Sequence, residues 1–341
     1  MIVDLLGNLS ERIKGKLGPF ILVIGTTDVS LIPGISFAGA SPELTMFTPA
    51  ADAEFLMTGK CKVIDSVPVT PDGIPTPALI TRASLSFLKV TRLIANAGSR
   101  VNPKIPFINL NGEPGKDIRY GGLRREVGEG ILEQGVILGE NLKSDIIYIG
   151  ESVPGGTTTA AAVLSGLGYD GVSLVSSSSP VNPKELKKRV VDQALKSAPK
   201  ETLERIFWLS DPVLIAVAGI ALGFKGVTVL SGGTQMAAVA AILKELDKGK
   251  LSNVGIATTR WIINDSSSNL YSLAKEIGIN LTYSNVSFAE SKFNGLRAYE
   301  QGYVKEGVGA GGSMVMSLSS GVSSQELVRR IEEVYSSLIN A

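Results

Sequence analysis

Short apolar runs alternate with segments of helical periodicity along most of the chain. Six runs are apolar almost throughout, a pattern typical of parallel strands that are covered on both faces. They lie at residues 19–25, 92–98, 145–151, 171–177, 226–233 and 253–259. Helical spacing occurs at residues 122–143, 157–167, 183–196, 212–222, 234–246 and 269–277. Because strands and helices alternate, the pattern predicts βαβ units and an α/β fold with a mostly parallel sheet.

The two ends of the chain follow a different pattern. Ser323 and Glu326 have the spacing of a capping box, and an amphipathic segment follows at residues 327–339. The first 120 residues are richer in proline and less regular. We therefore predict a main α/β domain at residues 20–315 and a smaller helical lobe formed by residues 1–19 and 316–341.

Composition narrows the chemistry that the chain can carry out. The 341 residues include no histidine and one cysteine. Ser-His-Asp and Cys-His triads, histidine-ligated zinc, intramolecular disulfides and cysteine-clustered metals are therefore excluded. An all-oxygen Mg²⁺ or Ca²⁺ site stays possible, and any acid–base chemistry has to come from Asp, Glu, Lys or Tyr.

Charge and hydropathy exclude several classes of partner. The 33 basic residues nearly balance the 32 acidic ones, so nothing indicates nucleic acid or an anionic membrane as a partner. The N-terminus lacks the basic and apolar regions of a signal peptide. The longest apolar run, residues 212–224, is shorter than the roughly 20 residues that span a bilayer. We expect a soluble, cytoplasmic protein that binds neither nucleic acid nor membranes.

The first of three glycine-rich turns lies between a predicted strand and a predicted helix, within GESVPGGTTTAAA at residues 150–162. Gly155 and Gly156 allow close approach of the backbone to a ligand. Thr157, Thr158 and Thr159 offer hydroxyl and N–H groups at a helix N-terminus, which suits a phosphate. The turn has neither a Walker A nor a GxGxxG pattern, and an ordinary strand-to-helix turn capped by threonine explains it as well.

The second turn contains Ser231, Gly232 and Gly233, and it again joins a predicted strand to a predicted helix. In an open α/β sheet, ligands bind beyond the carboxyl ends of the strands. We therefore expect the first two turns to face one pocket, with these three residues among its substrate contacts. An ordinary turn is the alternative.

The third turn lies within YVKEGVGAGGS at residues 303–313, where Lys305 and Glu306 adjoin a loop with four glycines in six residues. A carboxylate held among glycines suits a general base whose pKa is raised by burial. Gly307 and Gly309 would allow the backbone to crowd a ligand, and Lys305 would meet a phosphate. A lysine–glutamate surface turn before a helix is the alternative.

Taken in order, these segments resemble the nicotinate-nucleotide–dimethylbenzimidazole phosphoribosyltransferase family, and more closely its archaeal branch. Residues 150–162 resemble the motif GE-x-x-x-G-x-TT-x-AA, and residues 303–310 resemble the EGxGA motif. SDPVLIAVAG at residues 210–219 and VTVLSGGTQMAA at residues 227–238 resemble the central helix and the following strand-turn-helix. The ordered match extends over about residues 145–315, and residues 20–120 resemble the archaeal branch alone.

The resemblance implies a doubly wound α/β fold with a smaller lobe, usually as a homodimer. It implies transfer of phosphoribose from nicotinate mononucleotide to a benzimidazole-type base, for the lower ligand of cobalamin, with no cofactor and no metal. Glu306 would be the general base, and Glu151 would orient the ribose or stabilise charge. The donor phosphate would lie on Gly155, Gly156 and the threonines that follow, with Ser231 and Gly232 on the opposite wall.

Two alternatives stay open, because the sequence does not place the residues that bind the acceptor base. A related transferase would use another base, such as a purine. A non-catalytic protein would bind the mononucleotide without turning it over. Glu306, which occupies the position of the base, favours an enzyme.

Overall fold

Eight strands form one sheet in the computed structural model, which describes residues 1–339. They are β1 (Ile2–Leu6), β2 (Phe20–Gly25), β3 (Arg92–Gly98), β4 (Ile108–Asn109), β5 (Ile146–Ser152), β6 (Val227–Ser231), β7 (Val254–Thr259) and β8 (Asn280–Ser284). The order across the sheet is β1-β8-β7-β6-β5-β2-β3-β4, and every neighbouring pair is parallel except β1 with β8. Strands β3 and β4 lie on one side of β2, and strands β5 to β8 lie on the other. The direction of winding therefore reverses between β2 and β5.

Helices cover both faces of this sheet, which confirms the predicted α/β fold with a doubly wound, mostly parallel sheet. They are α1 (Leu9–Ile13), α2 (Thr48–Thr58), α3 (Ala78–Leu85), α4 (Arg125–Asn141), α5 (Gly156–Gly166), α6 (Gly171–Leu174), α7 (Lys184–Ser197), α8 (Thr202–Leu209), α9 (Pro212–Gly223), α10 (Thr234–Leu246), α11 (Arg260–Ile263), α12 (Leu270–Ile277), α13 (Asn294–Arg297), α14 (Ala310–Ser319) and α15 (Ser324–Ile339). One core lies under α4, α5, α7, α9, α10 and α12, and the other lies under α2, α3, α14 and α15. Among the residues described, no helix is both long and apolar enough to cross a membrane.

The central strand β2 shows why the apolar runs are continuous. All its side chains are buried, with Ile21 and Val23 in one core and Phe20, Leu22 and Ile24 in the other. A strand covered on both faces has no solvent side to alternate with. The runs at 19–25, 92–98, 145–151, 226–233 and 253–259 are confirmed as β2, β3, β5, β6 and β7. The six predicted helices are confirmed as α4, α5, α7, α9, α10 and α12.

The predicted strand at residues 171–177 is wrong, because this run forms the short helix α6 and an extended segment. The carboxylate of Asp170 accepts a hydrogen bond from the Ser173 N–H (3.3 Å) and caps the helix. A Cβ added to Gly171 would lie 2.3 Å from the Ala161 carbonyl oxygen, so the helix packs tightly on α5. A short apolar run cannot be told from a buried helical segment by periodicity alone.

The chain ends contact the main sheet and its helices. The capping box is confirmed, since Ser323 Oγ accepts from the Glu326 N–H (3.2 Å) and Glu326 accepts from the Ser323 N–H (2.9 Å). Strand β1 pairs with β8, and α15 packs against α3. The division into residues 20–315 and a terminal lobe stays a prediction.

Candidate functional site

A cavity lies at the carboxyl ends of β5, β6 and β7, next to the point where the winding of the sheet reverses. In doubly wound folds this is where ligands bind. Its lining comes from residues 35–39, 48, 52, 68–70, 74, 76–77, 151–157, 176–178, 233–235, 262, 304 and 306–308. All three glycine-rich turns therefore reach the same cavity, and so do segments from the N-terminal third that the sequence did not identify.

Two helix N-termini face this cavity. Helix α5 begins at Gly156 after Gly155, whose φ of +80° favours glycine, and helix α10 begins at Thr234 after Gly233. A Cβ on Gly155 would also come within 3.0 Å of the Ser30 backbone nitrogen. Some first-turn N–H groups of these helices bond to preceding carbonyls, but those of Thr157 and Thr234 donate to no protein acceptor within residues 1–339 and carry partial positive charge. Both residues line the cavity, so their N–H groups can receive an anion.

Several predicted contacts lie behind the cavity wall rather than on it. Thr158 is buried, and Thr159 donates its hydroxyl to the carboxylate of Asp211. Ser231 and Gly232 support α14 and α10, because a Cβ on Gly312 would meet Ser231 and one on Gly232 would meet Met236. Gly309 packs on Gly150 and Phe20. The residues that line the cavity from the predicted set are Glu151, Gly155, Gly156, Thr157, Gly233, Glu306 and Gly307.

Glu306 lies on the cavity wall with both carboxylate oxygens held by N–H groups. One oxygen accepts from Gly307 and Gly311, and the other from Gly311 and Thr259, at 3.1–3.2 Å. The hydroxyl of Thr258 adds a contact at 3.3 Å. Burial raises the pKa of Glu306 to about 7, although these donors act in the opposite direction. The carboxyl is therefore fixed in place and titrates near neutral pH.

Glu151 is the next-to-last residue of β5, lies beside Glu306 and is 4% exposed. Its pKa is raised to about 8, first by burial and then by the neighbouring carboxylates of Asp211, Glu306 and Asp52. Burial also raises the pKa of Asp211, which caps α9. Among the described residues, none of these four acids forms an ion pair, and no acidic cluster is arranged to hold a metal ion. We call Asp52, Glu151, Asp211 and Glu306 the carboxyl cluster.

Asp52 is a lining residue that sequence analysis missed. It belongs to α2, is 2% exposed, and accepts hydrogen bonds from Thr76 (2.6 Å) and Ser152 (2.8 Å). Burial raises its pKa to about 6. The visible signal was two acidic residues, Asp52 and Glu54, inside the otherwise mostly apolar stretch TPAADAEFLM, and their spacing does not indicate a site.

A second missed feature is the serine loop, residues 176–179, which follows α6. Its carbonyl oxygens are turned towards the protein, because Ser176 accepts from Lys187 Nζ (2.6 Å) and Ser179 accepts from Lys305 Nζ (3.0 Å). Within residues 1–339, the N–H groups of Ser177 and Ser178 donate to no protein acceptor. The run of four serines was the visible signal.

Two buried lysines and one aspartate lie behind the serine loop. Lys187 is fully buried and Lys305 is 1% exposed, and Lys305 Nζ lies 3.4 Å from the carboxylate of Asp265. Burial lowers the pKa of both lysines, that of Lys187 to about 7. Burial alone would raise the pKa of Asp265, but hydrogen bonds from Ser176 and Ser267 and the charge of Lys305 together lower it. The predicted phosphate contact Lys305 therefore lies behind the loop rather than on the cavity wall.

Comparison with known proteins gives close relatives and a shared fold. The chain is 62% identical over 341 residues to the UPF0284 protein of Metallosphaera sedula, covering 100% of this chain and 99% of that one. It is 57% identical over 339 residues to the UPF0284 protein of Sulfolobus acidocaldarius, covering 97% and 100%. No family model matches the chain.

Two solved structures from Thermus thermophilus share the fold. The first is a nicotinate-nucleotide-dimethylbenzimidazole phosphoribosyltransferase, with a TM-score of 0.62 and 17% identity over 96% of this chain and 87% of that one. The second, described as CobT, has a TM-score of 0.63 and 18% identity over the same shares. At this identity the likeness concerns the fold alone.

Proposed function

This chain belongs to the UPF0284 family, and we propose that it is a phosphoribosyltransferase that moves phosphoribose from nicotinate mononucleotide to a benzimidazole-type base. The products are an α-ribazole phosphate and nicotinate. Both the motif resemblance and the fold shared with the Thermus thermophilus enzyme support this assignment.

The placement of Glu306 carries the proposal. A general base is most effective when its pKa lies near the working pH, and Glu306 titrates at about 7. The acceptor nitrogen forms a bond to C1′ of the ribose while the bond from C1′ to the pyridinium nitrogen breaks. The bonding pair leaves with nicotinate, and Glu306 takes the proton that the acceptor loses.

The carboxyl cluster suits a donor with a cationic reacting centre. Positive charge lies on the pyridinium ring at first and spreads to an oxocarbenium-like C1′ as the bond breaks. Asp52 and Glu306 have no cationic partner among the described residues and have pKa values of about 6 and about 7, so their ionised forms favour positive charge at that point. The ring nitrogen departs without a negative charge, so the leaving group does not require a metal to neutralise it.

The part of the cavity wall formed by the first turn of α5 and the serine loop suits the donor phosphate. Thr157, Ser177 and Ser178 line the cavity there, and among the described residues their N–H groups donate to no protein acceptor. Behind them lie two buried lysines and one buried aspartate, and an anion in front of them would favour the protonated form of Lys187, whose pKa burial lowers to about 7. The acceptor base would then lie against the wall from the N-terminal third, where Phe37, Ile74 and Pro77 are apolar.

The test is to incubate the protein with nicotinate mononucleotide and a panel of benzimidazoles and adenine, and to detect the ribazole phosphate and nicotinate by mass spectrometry. Product with adenine but not with benzimidazoles would identify the related transferase. Tight mononucleotide binding without nicotinate release would identify a non-catalytic binding protein.

The variant Glu306→Gln tests the role of the base. We expect turnover to fall by a factor of about 10²–10⁴, the usual contribution of general acid–base catalysis. Calorimetry should show that mononucleotide binding persists. Glu290→Gln is the matched control, because Glu290 is exposed and is not among the residues that line the cavity. Unchanged turnover in Glu306→Gln would remove Glu306 as the base.

A further inference from the structure

The segment that carries Glu306 adopts an unfavourable backbone conformation. We call residues 303–309 the glutamate loop. Val304, Lys305 and Val308 have φ values of +59°, +63° and +53°, in the left-handed region that β-branched and bulky side chains avoid. Such a conformation persists only where the surroundings impose it. The position of Glu306 therefore depends on what holds this loop.

Contacts with the serine loop hold one side of the glutamate loop. The Val304 N–H donates to the Ser178 carbonyl (2.7 Å), and Lys305 Nζ donates to the Ser179 carbonyl (3.0 Å). Thr259 holds the other side, since its hydroxyl donates to the Lys305 carbonyl (2.7 Å). Both hydrogen bonds to the serine loop thus come from the strained residues that directly precede Glu306.

Asp265 connects the two loops through side chains. Its carboxylate lies 3.4 Å from Lys305 Nζ and accepts from the Ser176 hydroxyl at 2.5 Å. Ser267 anchors it through its N–H (2.9 Å) and its hydroxyl (2.7 Å). A displacement of the serine loop therefore reaches Lys305 by two routes, one through the Ser179 carbonyl and one through Asp265.

We propose that Lys305 and Asp265 are positioning residues that couple occupation of the serine loop by an anion to the placement of Glu306. The inference rests on the proposed function for its catalytic consequence. An anion on the N–H groups of Ser177 and Ser178 fixes the serine loop, whose carbonyls then hold Val304 and Lys305. Glu306 follows directly in the chain. Part of the binding energy of the donor phosphate is thereby used to order Glu306. The phosphate therefore raises the rate of transfer as well as the affinity for the donor.

Hydrogen–deuterium exchange tests the coupling without any transfer reaction. Inorganic phosphate is added to the wild type, and exchange is measured in peptides that contain the serine loop or the glutamate loop. We expect slower exchange in both loops, by about 5- to 150-fold, the usual range of coupling between sites. Slowing that is confined to the serine loop would overturn the proposal.

Variants separate positioning from anion binding. Lys305→Met keeps the hydrogen bond from the Val304 N–H to the Ser178 carbonyl but loses both side-chain contacts, so phosphate should slow exchange in the glutamate loop much less than in the wild type. Lys305→Arg should restore part of this effect. Lys187→Met is the matched control, because Lys187 contacts the Ser176 carbonyl and makes no hydrogen bond to the glutamate loop. It should weaken phosphate binding and keep the coupling. Equal coupling in Lys305→Met and wild type would overturn the proposal.

Kinetics test the catalytic consequence. In the wild type, kcat with nicotinate mononucleotide should exceed kcat with nicotinate riboside, which lacks the phosphate, and added phosphite should raise the rate with the riboside. In Lys305→Met the two kcat values should converge while the KM values stay different. A kcat ratio unchanged from wild type refutes the coupling. If the wild type transfers nothing, the proposed function fails, and the exchange result still decides the coupling.

Discussion

Replacing Glu151 by glutamine tests the electrostatics of the carboxyl cluster through the stability of the whole protein. The pKa of Glu151 is raised from 4.5 to about 8, chiefly by burial and then by neighbouring carboxylates. A buried acid with a raised pKa favours the folded state only while it is protonated. Its contribution is complete below the unfolded pKa of 4.5 and is lost as the pH rises through about 8.

The size of the effect follows from the two pKa values. A change from 4.5 to about 8 corresponds to about 5 kcal/mol of folding free energy, and roughly 3 kcal/mol of it is lost between pH 5 and pH 8. Glutamine cannot ionise, so Glu151→Gln should remove this part of the pH dependence. We therefore expect the variant to lose much less stability than the wild type over this pH range.

Urea denaturation at pH 5, 6.5 and 8 measures the free energy of unfolding of both proteins. Glu326→Gln is the control, because the pKa of the exposed Glu326 is shifted in the opposite direction: hydrogen bonds from Ser323 lower it. That variant should keep the wild-type loss of stability towards pH 8. If Glu151→Gln loses as much stability as the wild type between pH 5 and pH 8, burial and the neighbouring carboxylates do not raise the pKa of Glu151 in the folded protein.

Two further predictions concern the base and the helix packing. In the proposed reaction kcat/KM should rise with pH through about 7, because Glu306 accepts a proton only when ionised, and a flat profile from pH 5 to pH 9 would contradict this. In α4, Gly139→Ala should lower the melting temperature, since its Cβ would lie 2.3 Å from the Ile220 carbonyl. Gly130→Ala, with no atom within 4 Å, should stabilise the protein by about 1 kcal/mol, and equal melting temperatures would contradict both.

Periodicity predicted the strands that lie inside the sheet better than those at its edges. The apolar runs of β2 and β5 identify strands covered on both faces. Strand β8 mixes polar and apolar residues, and β1 pairs with it at the edge, so neither has a continuous apolar signal. The fold class was therefore predictable from the sequence, whereas the full number of strands depended on pairing between distant segments.

The glycines near Glu306 have two different roles, one in a turn and one in close helix packing, and the sequence alone does not distinguish them. The loop predicted after Glu306 ends at Gly309, and Gly311 and Gly312 belong to the first turn of α14. A Cβ on Gly311 would lie 2.2 Å from the Thr258 carbonyl carbon, and one on Gly312 would lie 2.0 Å from Ser231 Oγ. These two glycines let a helix approach the sheet, so they reflect packing rather than a turn.

The candidate site was predictable where a single segment holds several of its residues. Gly155, Gly156 and Thr157 are adjacent in the chain, and so are Glu306 and Gly307, and all of them line the cavity. Asp52 and the serine loop reach the same cavity from distant segments, and no local spacing relates them to it. Asp52 and the serine loop could be identified as cavity residues only from the topology, because it is the fold that brings these distant segments to the carboxyl ends of the strands.

The environments of the two glutamates distinguish their roles in the proposed reaction. Three backbone N–H groups hold the carboxylate of Glu306 and favour its ionised form, and its pKa is about 7. Glu151 lies among three other acids, which favour its protonated form, and its pKa is about 8. When neighbouring acids share a site, the one with more hydrogen-bond donors loses its proton first. Near neutral pH Glu306 is therefore the group that can accept the acceptor's proton, while Glu151 keeps its own and can donate a hydrogen bond to a ribose oxygen.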